Sequence, residues 1–181
     1  MSKRVLCLLF PGFEEIEAIA PIDLLRRAGV EVKVVSLTSD RKVTGRSNVT
    51  VQAEATLAEV AANDFDLLLL PGGPGVKNLR GDGRPAQLAR AYAQAGKLVG
   101  AICAAPLVLA DAGLLAGKRF TAHFSAHGEL PQALAGEKVV EDGNIITSRG
   151  AGTAVDFGLA LVRRLCGEEV AQQVAKAIML G

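Results

Sequence analysis

Residues 97–106 carry the clearest chemical signal in the chain, Lys-Leu-Val-Gly-Ala-Ile-Cys-Ala-Ala-Pro. The short apolar run before Cys103 predicts a buried strand, and the apolar residues after it predict a helix that ends near Gly113. Cys103 therefore falls on the turn between a strand and a helix. Ala101 and Ala105, two positions away on either side, are small, as a tight turn requires because larger side chains would collide with the bend. This is the pattern of a nucleophile elbow, with cysteine in place of serine.

The predicted position of Cys103 favours a reactive thiol. At a helix N-terminus, free backbone N–H groups and the helix dipole stabilise a thiolate. The alternative is that Cys103 is a small buried hydrophobic residue, as free cysteines usually are. This stretch alone leaves both interpretations open, so other features of the chain have to decide between them.

A candidate acid lies near the N-terminus, in the segment Pro-Gly-Phe-Glu-Glu-Ile-Glu-Ala-Ile-Ala-Pro at residues 11–21. Acidic residues are typical of the first turn of a helix, so the three glutamates also have a plain interpretation as a solvated helix start. Glu17, however, is flanked by apolar residues, and a half-buried carboxyl tends to keep its proton. We therefore predict a site role for Glu17 and consider Glu14 a candidate to contact substrate. Pro21 lacks an N–H and predicts a kink in this helix.

A glycine-rich segment follows the apolar run at residues 65–70. It reads Pro-Gly-Gly-Pro-Gly at residues 71–75, and the Gly-Lys-Ser/Thr ending of a phosphate loop is missing. Its glycines can still expose backbone N–H groups toward a ligand, which makes Gly72 a candidate to contact substrate. The alternative is a simple turn.

The two histidines and the later glycines do not indicate a cofactor. His123 follows a short predicted strand at residues 119–122, and His127 stands four positions on, but no further metal ligands gather nearby. Gly150 and Gly152 lack the third glycine of a dinucleotide-binding fingerprint. We therefore expect neither a metal nor an organic cofactor.

Strands and helices alternate along the chain, which predicts an α/β fold with a mostly parallel central sheet. Parallel strands need helical crossovers, so both faces of the sheet become covered. In such sheets ligands bind at the carboxyl ends of the strands. The acidic segment, the glycine-rich segment, Cys103, His123 and residues 149–152 all follow strand ends. Their convergence on one edge favours the reactive interpretation of Cys103. The predicted strands are residues 5–10, 31–37, 65–70 and 98–102, with hairpins at 38–51 and 138–147.

Composition excludes several other classes of protein. The chain has 181 residues, half of them hydrophobic, and a net charge of +1, which fits a single soluble domain over residues 1–181. It shows no basic patch with interleaved aromatic residues for nucleic acid, and no apolar run long enough to cross a membrane. Three cysteines without metal-like spacing favour free thiols in a reducing compartment, so we expect a cytoplasmic protein.

Four motifs together resemble the ThiJ/PfpI superfamily, in the branch of the parkinsonism-associated protein deglycase and its bacterial relatives. The resemblance covers nearly the whole chain and implies a flavodoxin-like three-layer sandwich and a homodimer. Two departures stand out: Ala151 replaces a frequent proline, and Ala104 replaces the histidine of the protease-like branch, which disfavours peptidase activity. The motifs are Gly-Phe-Glu-Glu-Ile-Glu at 12–17, Leu-Pro-Gly-Gly at 70–73, Ala-Ile-Cys-Ala-Ala-Pro at 101–106 and Thr-Ser-Arg-Gly-Ala-Gly-Thr at 147–153.

The resemblance also implies roles for individual residues. Cys103 corresponds to the nucleophilic and oxidisable cysteine of the family, and Glu17 to the carboxyl beside it. His123 corresponds to a histidine near the sulfur in some members, so we count it with Cys103 and Glu17 among the candidate catalytic residues. Gly73 and Ala104 correspond to the residues whose backbone N–H groups form an oxyanion hole.

These residues lead to a hypothesis of a cofactor-free enzyme, a glyoxalase III or protein deglycase. The thiolate of Cys103 attacks an aldehyde such as methylglyoxal or glyoxal, or an early adduct of one with a thiol or an amine, and Glu17 moves the proton. The alternative is a redox-sensing stress-response protein in which Cys103 is oxidised, with a chaperone-like role. An amidotransferase-type hydrolase is the enzymatic runner-up, although no histidine follows His127 to complete its triad.

Overall fold

The computed structural model describes residues 2–61 and 64–180, which fold into alternating strands and helices. The predicted single domain over 1–181 also includes positions 1, 62, 63 and 181, which lie outside the described residues. The strands are β1 (Arg4–Leu9), β2 (Glu31–Ser36), β3 (Lys42–Thr44), β4 (Thr50–Gln52), β5 (Ala55–Thr56), β6 (Leu67–Leu70), β7 (Leu98–Ile102), β8 (Val139–Asp142) and β9 (Ile145–Ser148). The helices are α1 (Glu15–Arg27), α2 (Val76–Asp82), α3 (Arg84–Gln94), α4 (Pro106–Asp111), α5 (Ala154–Cys166) and α6 (Glu168–Ala177).

The central sheet has seven strands in the order β5-β2-β1-β6-β7-β9-β8. All neighbours pair in parallel except β8, which runs antiparallel to β9 in the predicted hairpin. The strands at the centre are continuous apolar runs because both faces of the sheet are covered: every residue of β6 is fully buried. The predicted α/β fold with a mostly parallel sheet is confirmed.

Two groups of helices flank the sheet. Helix α1 packs against α5, and α5 against α6, while α2, α3 and α4 pack against one another. The close approach of α1 and α5 depends on Gly158, where a Cβ atom would lie 2.6 Å from the side chain of Leu24 and 3.1 Å from the backbone of Pro21. Helix α1 continues through Pro21 from its first residue to its last. The kink predicted there stays a prediction.

One strand predicted from the sequence, at residues 119–122, does not form. Residues 119–122 do not join the sheet, because their polar groups are used elsewhere: the Thr121 N–H donates to Oγ1 of Thr147, and the Thr121 hydroxyl donates to the Leu134 carbonyl. The hairpin expected at the sheet edge forms a separate two-stranded sheet, β3–β4. Helix α2 was not predicted, since its glycine-rich approach reads as a turn.

The topology decides where a site can form. From β1 the chain moves outward to β2 on one side, whereas β6 and β7 lie on the other side of β1. The strand order therefore reverses between β1 and β6, and ligands bind at such a switch point beyond the carboxyl ends of the strands. The segments after β1, β6, β7 and β9 all emerge at this edge.

Candidate active site

Cys103 lies on the sharp turn between β7 and α4, as predicted. Its φ of 66° is in the left-handed region that side chains other than glycine rarely occupy, so the backbone here is strained. The turn is held by a hydrogen bond of 2.9 Å from the Cys103 N–H to the Ser148 carbonyl. The residue is 9% exposed and lines a cleft of about 520 Å³. The sulfur is therefore confined but accessible from the cleft.

Glu17 brings a carboxyl group to the same place from the first turn of α1. The residue is 1% exposed and also lines the cleft. Its Oε2 accepts a 3.0 Å hydrogen bond from the Gly72 N–H, and the carboxyl also interacts with the Ala151 N–H and with the Cys103 thiol. Three segments that are distant in the sequence thus hold this side chain in one orientation.

Burial raises the pKa values of both groups. The pKa of Glu17 rises from 4.5 to about 7, mainly through desolvation and with a smaller effect of the Glu14 charge, while hydrogen bonds from Cys103, Gly72 and Ala151 lower it. Desolvation also raises the pKa of the Cys103 thiol, and the negative charge of Glu17 raises it further. The position at a helix N-terminus predicts an anionic sulfur, but burial and the neighbouring carboxylate oppose its ionisation. The two groups therefore titrate as a coupled pair.

Two backbone N–H groups favour the ionised form of the Cys103 thiol. The N–H groups of Gly73 and Ala104 hydrogen-bond to the Cys103 sulfur and lower its pKa. Gly73 has a φ of 108°, and a Cβ atom there would lie 2.6 Å from the Glu14 nitrogen and 2.7 Å from the Gly12 oxygen. Only glycine fits this position, so the loop can present its N–H to the sulfur. Both donors converge on the sulfur, and the oxyanion hole that the resemblance implies for them stays a prediction.

Gly72 and Glu14 have structural partners that the sequence analysis did not assign. The Gly72 N–H is already used by Glu17, so it is not free for substrate. A Cβ atom at Gly72 would lie 2.5 Å from the Cβ of Cys103, which is why the position needs glycine. Glu14 caps α1, since its Oε2 accepts the Glu17 N–H at 2.8 Å, and it also lines the cleft. Its contact with substrate stays a prediction.

His123 lies at the cleft because its backbone is hydrogen-bonded to that of Cys103. Its N–H donates to the Cys103 carbonyl at 2.8 Å, and its ring lines the cleft. Nδ1 accepts from the Ser125 N–H and lies 2.8 Å from the Ser125 hydroxyl, so this nitrogen is engaged within a local turn. Burial lowers the pKa of His123, with smaller effects of His127 and Arg46. The ring is therefore mainly neutral at pH 7.

Several residues line the cleft without having been predicted as site residues. Arg46 comes from the β3–β4 hairpin, Lys77 and Arg80 from α2, and Glu129 from the segment after His123. No local pattern marks them, because their proximity to Cys103 results from tertiary packing. Over residues 2–61 and 64–180, no group of three or more His, Cys, Asp or Glu side chains is placed to hold a metal ion. Within the same ranges, none of the helices has the length and apolar character needed to cross a bilayer.

Comparison with known proteins gives a family match over most of the chain. The model of the DJ-1/PfpI family matches residues 3–164. The chain belongs to the DJ-1/PfpI family. It is 41% identical to protein dj-1beta of Drosophila melanogaster over 99% of this chain and 98% of that protein, and the crystal structure of DJ-1beta superposes with a TM-score of 0.94 over the whole of both chains. The family expected from the four motifs is therefore confirmed.

Two further relatives indicate the range of the DJ-1/PfpI family. A structure described as oxidised Toxoplasma gondii DJ-1 is 32% identical and has a TM-score of 0.92, covering 98% of both chains. A Bacillus subtilis protein named putative cysteine protease YraA is 40% identical over 82% of this chain and 90% of that protein. These names span oxidation and peptide hydrolysis. The choice for this chain depends on its own site.

Proposed function

We propose that this protein is a cofactor-free enzyme that converts small 2-oxoaldehydes such as methylglyoxal into hydroxy acids, with Cys103 as nucleophile and Glu17 as acid and base. One observation carries the proposal. The buried carboxyl of Glu17, whose pKa is raised to about 7, interacts with the thiol of Cys103 in a cleft that two backbone N–H donors enter. A pKa near the working pH is what proton transfer in both directions requires.

The first step is addition to the aldehyde. The Glu17 carboxylate takes the thiol proton, which leaves the negative charge on the sulfur and the proton on the carboxyl. The thiolate then attacks the aldehyde carbon. The carbonyl π bond breaks and the oxygen becomes an oxyanion, which the N–H groups of Gly73 and Ala104 stabilise. Glu17 then returns the proton to this oxygen, and the product is a hemithioacetal.

The second step moves a proton between adjacent carbons. The Glu17 carboxylate removes the proton from the former aldehyde carbon, and an enediolate forms with its charge on the neighbouring oxygen. The hydroxyl proton passes from the former aldehyde oxygen to that neighbouring oxygen, and the Glu17 carboxyl then delivers its proton to the neighbouring carbon. The result is a thioester on Cys103, which water hydrolyses to lactate and the free thiol. Early adducts of aldehydes with thiols or amines, and glyoxal itself, can enter the same sequence.

The direct test is lactate formation from methylglyoxal by the purified protein without glutathione. We expect turnover by the wild type, with Cys103→Ser and Glu17→Gln reduced to background. Cys166→Ser is the matched control, because Cys166 is a half-buried free cysteine that is not among the residues lining the cleft. Undiminished turnover in either site variant would contradict the proposal.

A second candidate function is redox sensing, because the same N–H groups that favour an oxyanion also favour an oxidised sulfur bearing negative charge. The oxidised state named for the Toxoplasma relative makes this worth testing. Mass spectrometry after graded peroxide treatment should show selective addition of two oxygens at Cys103. Uniform oxidation of Cys103 and Cys166 would argue against a sensor.

Peptidase and amidotransferase activities have less support. The position after Cys103 in the sequence holds Ala104, where the protease-like branch has a histidine. The histidine at the cleft, His123, has its Nδ1 engaged by Ser125. The name of the Bacillus relative is therefore not extended to this chain.

We also propose that the protein is a homodimer. Ile16 and Ile19 on α1 and Val49 on the hairpin are about half exposed, although all three are large apolar side chains. Glu15 links these elements by accepting the N–H groups of Ser47 and Val49. A second copy would cover this apolar surface. Light scattering should give twice the monomer mass for the wild type and a monomer for Ile16→Glu.

A further inference from the structure

Arg80 forms the most connected ion-pair network near the cleft. Its Nε and Nη2 donate to the two oxygens of Asp111 at 2.7 and 2.9 Å, and its Nη1 and Nη2 donate to the two oxygens of Glu129, both at 2.9 Å. Among residues 2–61 and 64–180, no other arginine binds two carboxylates in this two-pronged way. Such paired bonds fix geometry as well as charge.

The three residues connect three segments that build the site. Arg80 lies on α2, which begins soon after Gly73, and Asp111 is the last residue of α4, which begins soon after Ala104. Glu129 follows the turn that starts at His123. The N–H groups of Gly73 and Ala104 therefore belong to two segments that Arg80 joins.

We propose that Arg80 is a positioning residue: by bridging Asp111 and Glu129 it fixes the spacing between the N–H groups of Gly73 and Ala104. The inference rests on the oxyanion role proposed above for these two groups. Every nitrogen of the Arg80 guanidinium already donates to a carboxylate, so direct binding of an anionic substrate is not its role.

A purely stabilising role fits the exposure of the network less well. The side chains of Arg80, Asp111 and Glu129 are 30%, 33% and 59% exposed. Ion pairs this open to water contribute little to folding because solvent screens the charges. Their value lies in geometry, since a displacement of about 1 Å in a reacting group costs about a hundredfold in rate.

The test compares two reactions of Cys103. In acylation by p-nitrophenyl acetate, the sulfur attacks the carbonyl carbon, an oxyanion forms and the carbon–oxygen bond breaks to release p-nitrophenolate. In alkylation by iodoacetamide, the sulfur displaces iodide and no oxyanion forms. Only the first reaction depends on the spacing of the two N–H groups. Cys103→Ser protein supplies the background for both.

We expect acylation to fall about tenfold in Arg80→Met and Arg80→Lys, with alkylation within about twofold of the wild type. The lysine variant keeps the positive charge but loses the paired hydrogen bonds. If the methionine variant does not fold, the acylation rate of the lysine variant tests the proposal. The matched control is Arg4→Lys, which weakens a two-pronged pair with Glu31 at the opposite edge of the sheet and should change neither rate.

Unchanged acylation in the folded variants would overturn the proposal. An equal fall in both reactions would also overturn it, since that result would place the effect on the sulfur itself. Neither reagent is an aldehyde. A wild type that acylates normally but makes no lactate would therefore refute the proposed function without affecting this inference.

Discussion

The Gly72 N–H donates a hydrogen bond of 3.0 Å to the Glu17 carboxyl, although the two residues are 55 positions apart in the sequence. The same glycine packs directly against Cys103, where a Cβ atom would lie 2.5 Å from the cysteine Cβ and 2.6 Å from Oε2 of Glu17. Gly72 therefore sets the distance between acid and nucleophile.

The first prediction is that Gly72→Ala abolishes turnover of methylglyoxal. The added methyl group must push Glu17 away from Cys103, and we expect a loss of at least about a hundredfold in kcat. Gly152→Ala is the control, since a Cβ atom there has no neighbour within 4 Å. Circular dichroism of both variants checks the fold, and wild-type kcat in a folded Gly72→Ala protein would contradict the prediction.

The second prediction concerns stability and pH. The pKa of Glu17 is raised in the folded state from 4.5 to about 7, so the folded protein binds more protons than the unfolded chain between these values. The free energy of unfolding therefore falls as pH rises through this window, by about 3 kcal/mol. Urea unfolding of wild type and Glu17→Gln at a series of pH values measures the difference. A difference that does not change with pH would disprove it.

The third prediction concerns the thiol. The charge of Glu17 raises the pKa of Cys103, so its removal in Glu17→Gln should lower that pKa. The rate of alkylation by iodoacetamide, followed against pH, reports the thiolate fraction. Glu14→Gln serves as a comparison, because Glu14 also lines the cleft and its charge acts on Glu17. An unchanged or higher midpoint in Glu17→Gln would show that the like-charge effect is absent.

The fourth prediction uses Ala151. Its N–H interacts with the Glu17 carboxyl and lowers its pKa, and proline at this position has no N–H to donate. Ala151→Pro should therefore raise the pKa of Glu17, whereas Ala151→Gly, which keeps the N–H, should leave it near the wild-type value. Infrared spectroscopy of the protonated carboxyl, with Glu17→Gln as the blank, gives the titration. Equal midpoints in the proline and glycine variants would rule out this contribution.

The fifth prediction is a small effect at His123. The sequence makes His123 a candidate catalytic residue, but its Nδ1 is engaged by Ser125 and the pKa of its ring is lowered, so we expect the ring to transfer no proton in the reaction. We expect His123→Asn to keep kcat within about fivefold, far less than the loss of about a hundredfold or more that follows removal of a general acid or base. Steady-state kinetics decides this, and a loss as large as that of Glu17→Gln would require a catalytic role for His123.

Much of the fold and part of the site are readable from local sequence. The apolar runs of β1, β6 and β7 and the turn at Cys103 depend on residues within a few positions of one another, so their patterns are visible in the chain. The short segment at 119–122 shows the limit of this reading. It is apolar enough for a strand, but Thr121 finds its hydrogen-bond partners in Thr147 and Leu134, which no local pattern specifies.

The sequence by itself determined that Cys103 stands on a strand-to-helix turn, and that Glu17 and the glycines follow other strand ends. Only the tertiary structure decided which of these groups contact one another and how burial changes their pKa values. The raised pKa of Glu17 results from its burial, and the network of Arg80 results from the packing of α2 against α4. Both depend on contacts between residues far apart in the chain, because desolvation and hydrogen-bond geometry exist only after the segments have come together.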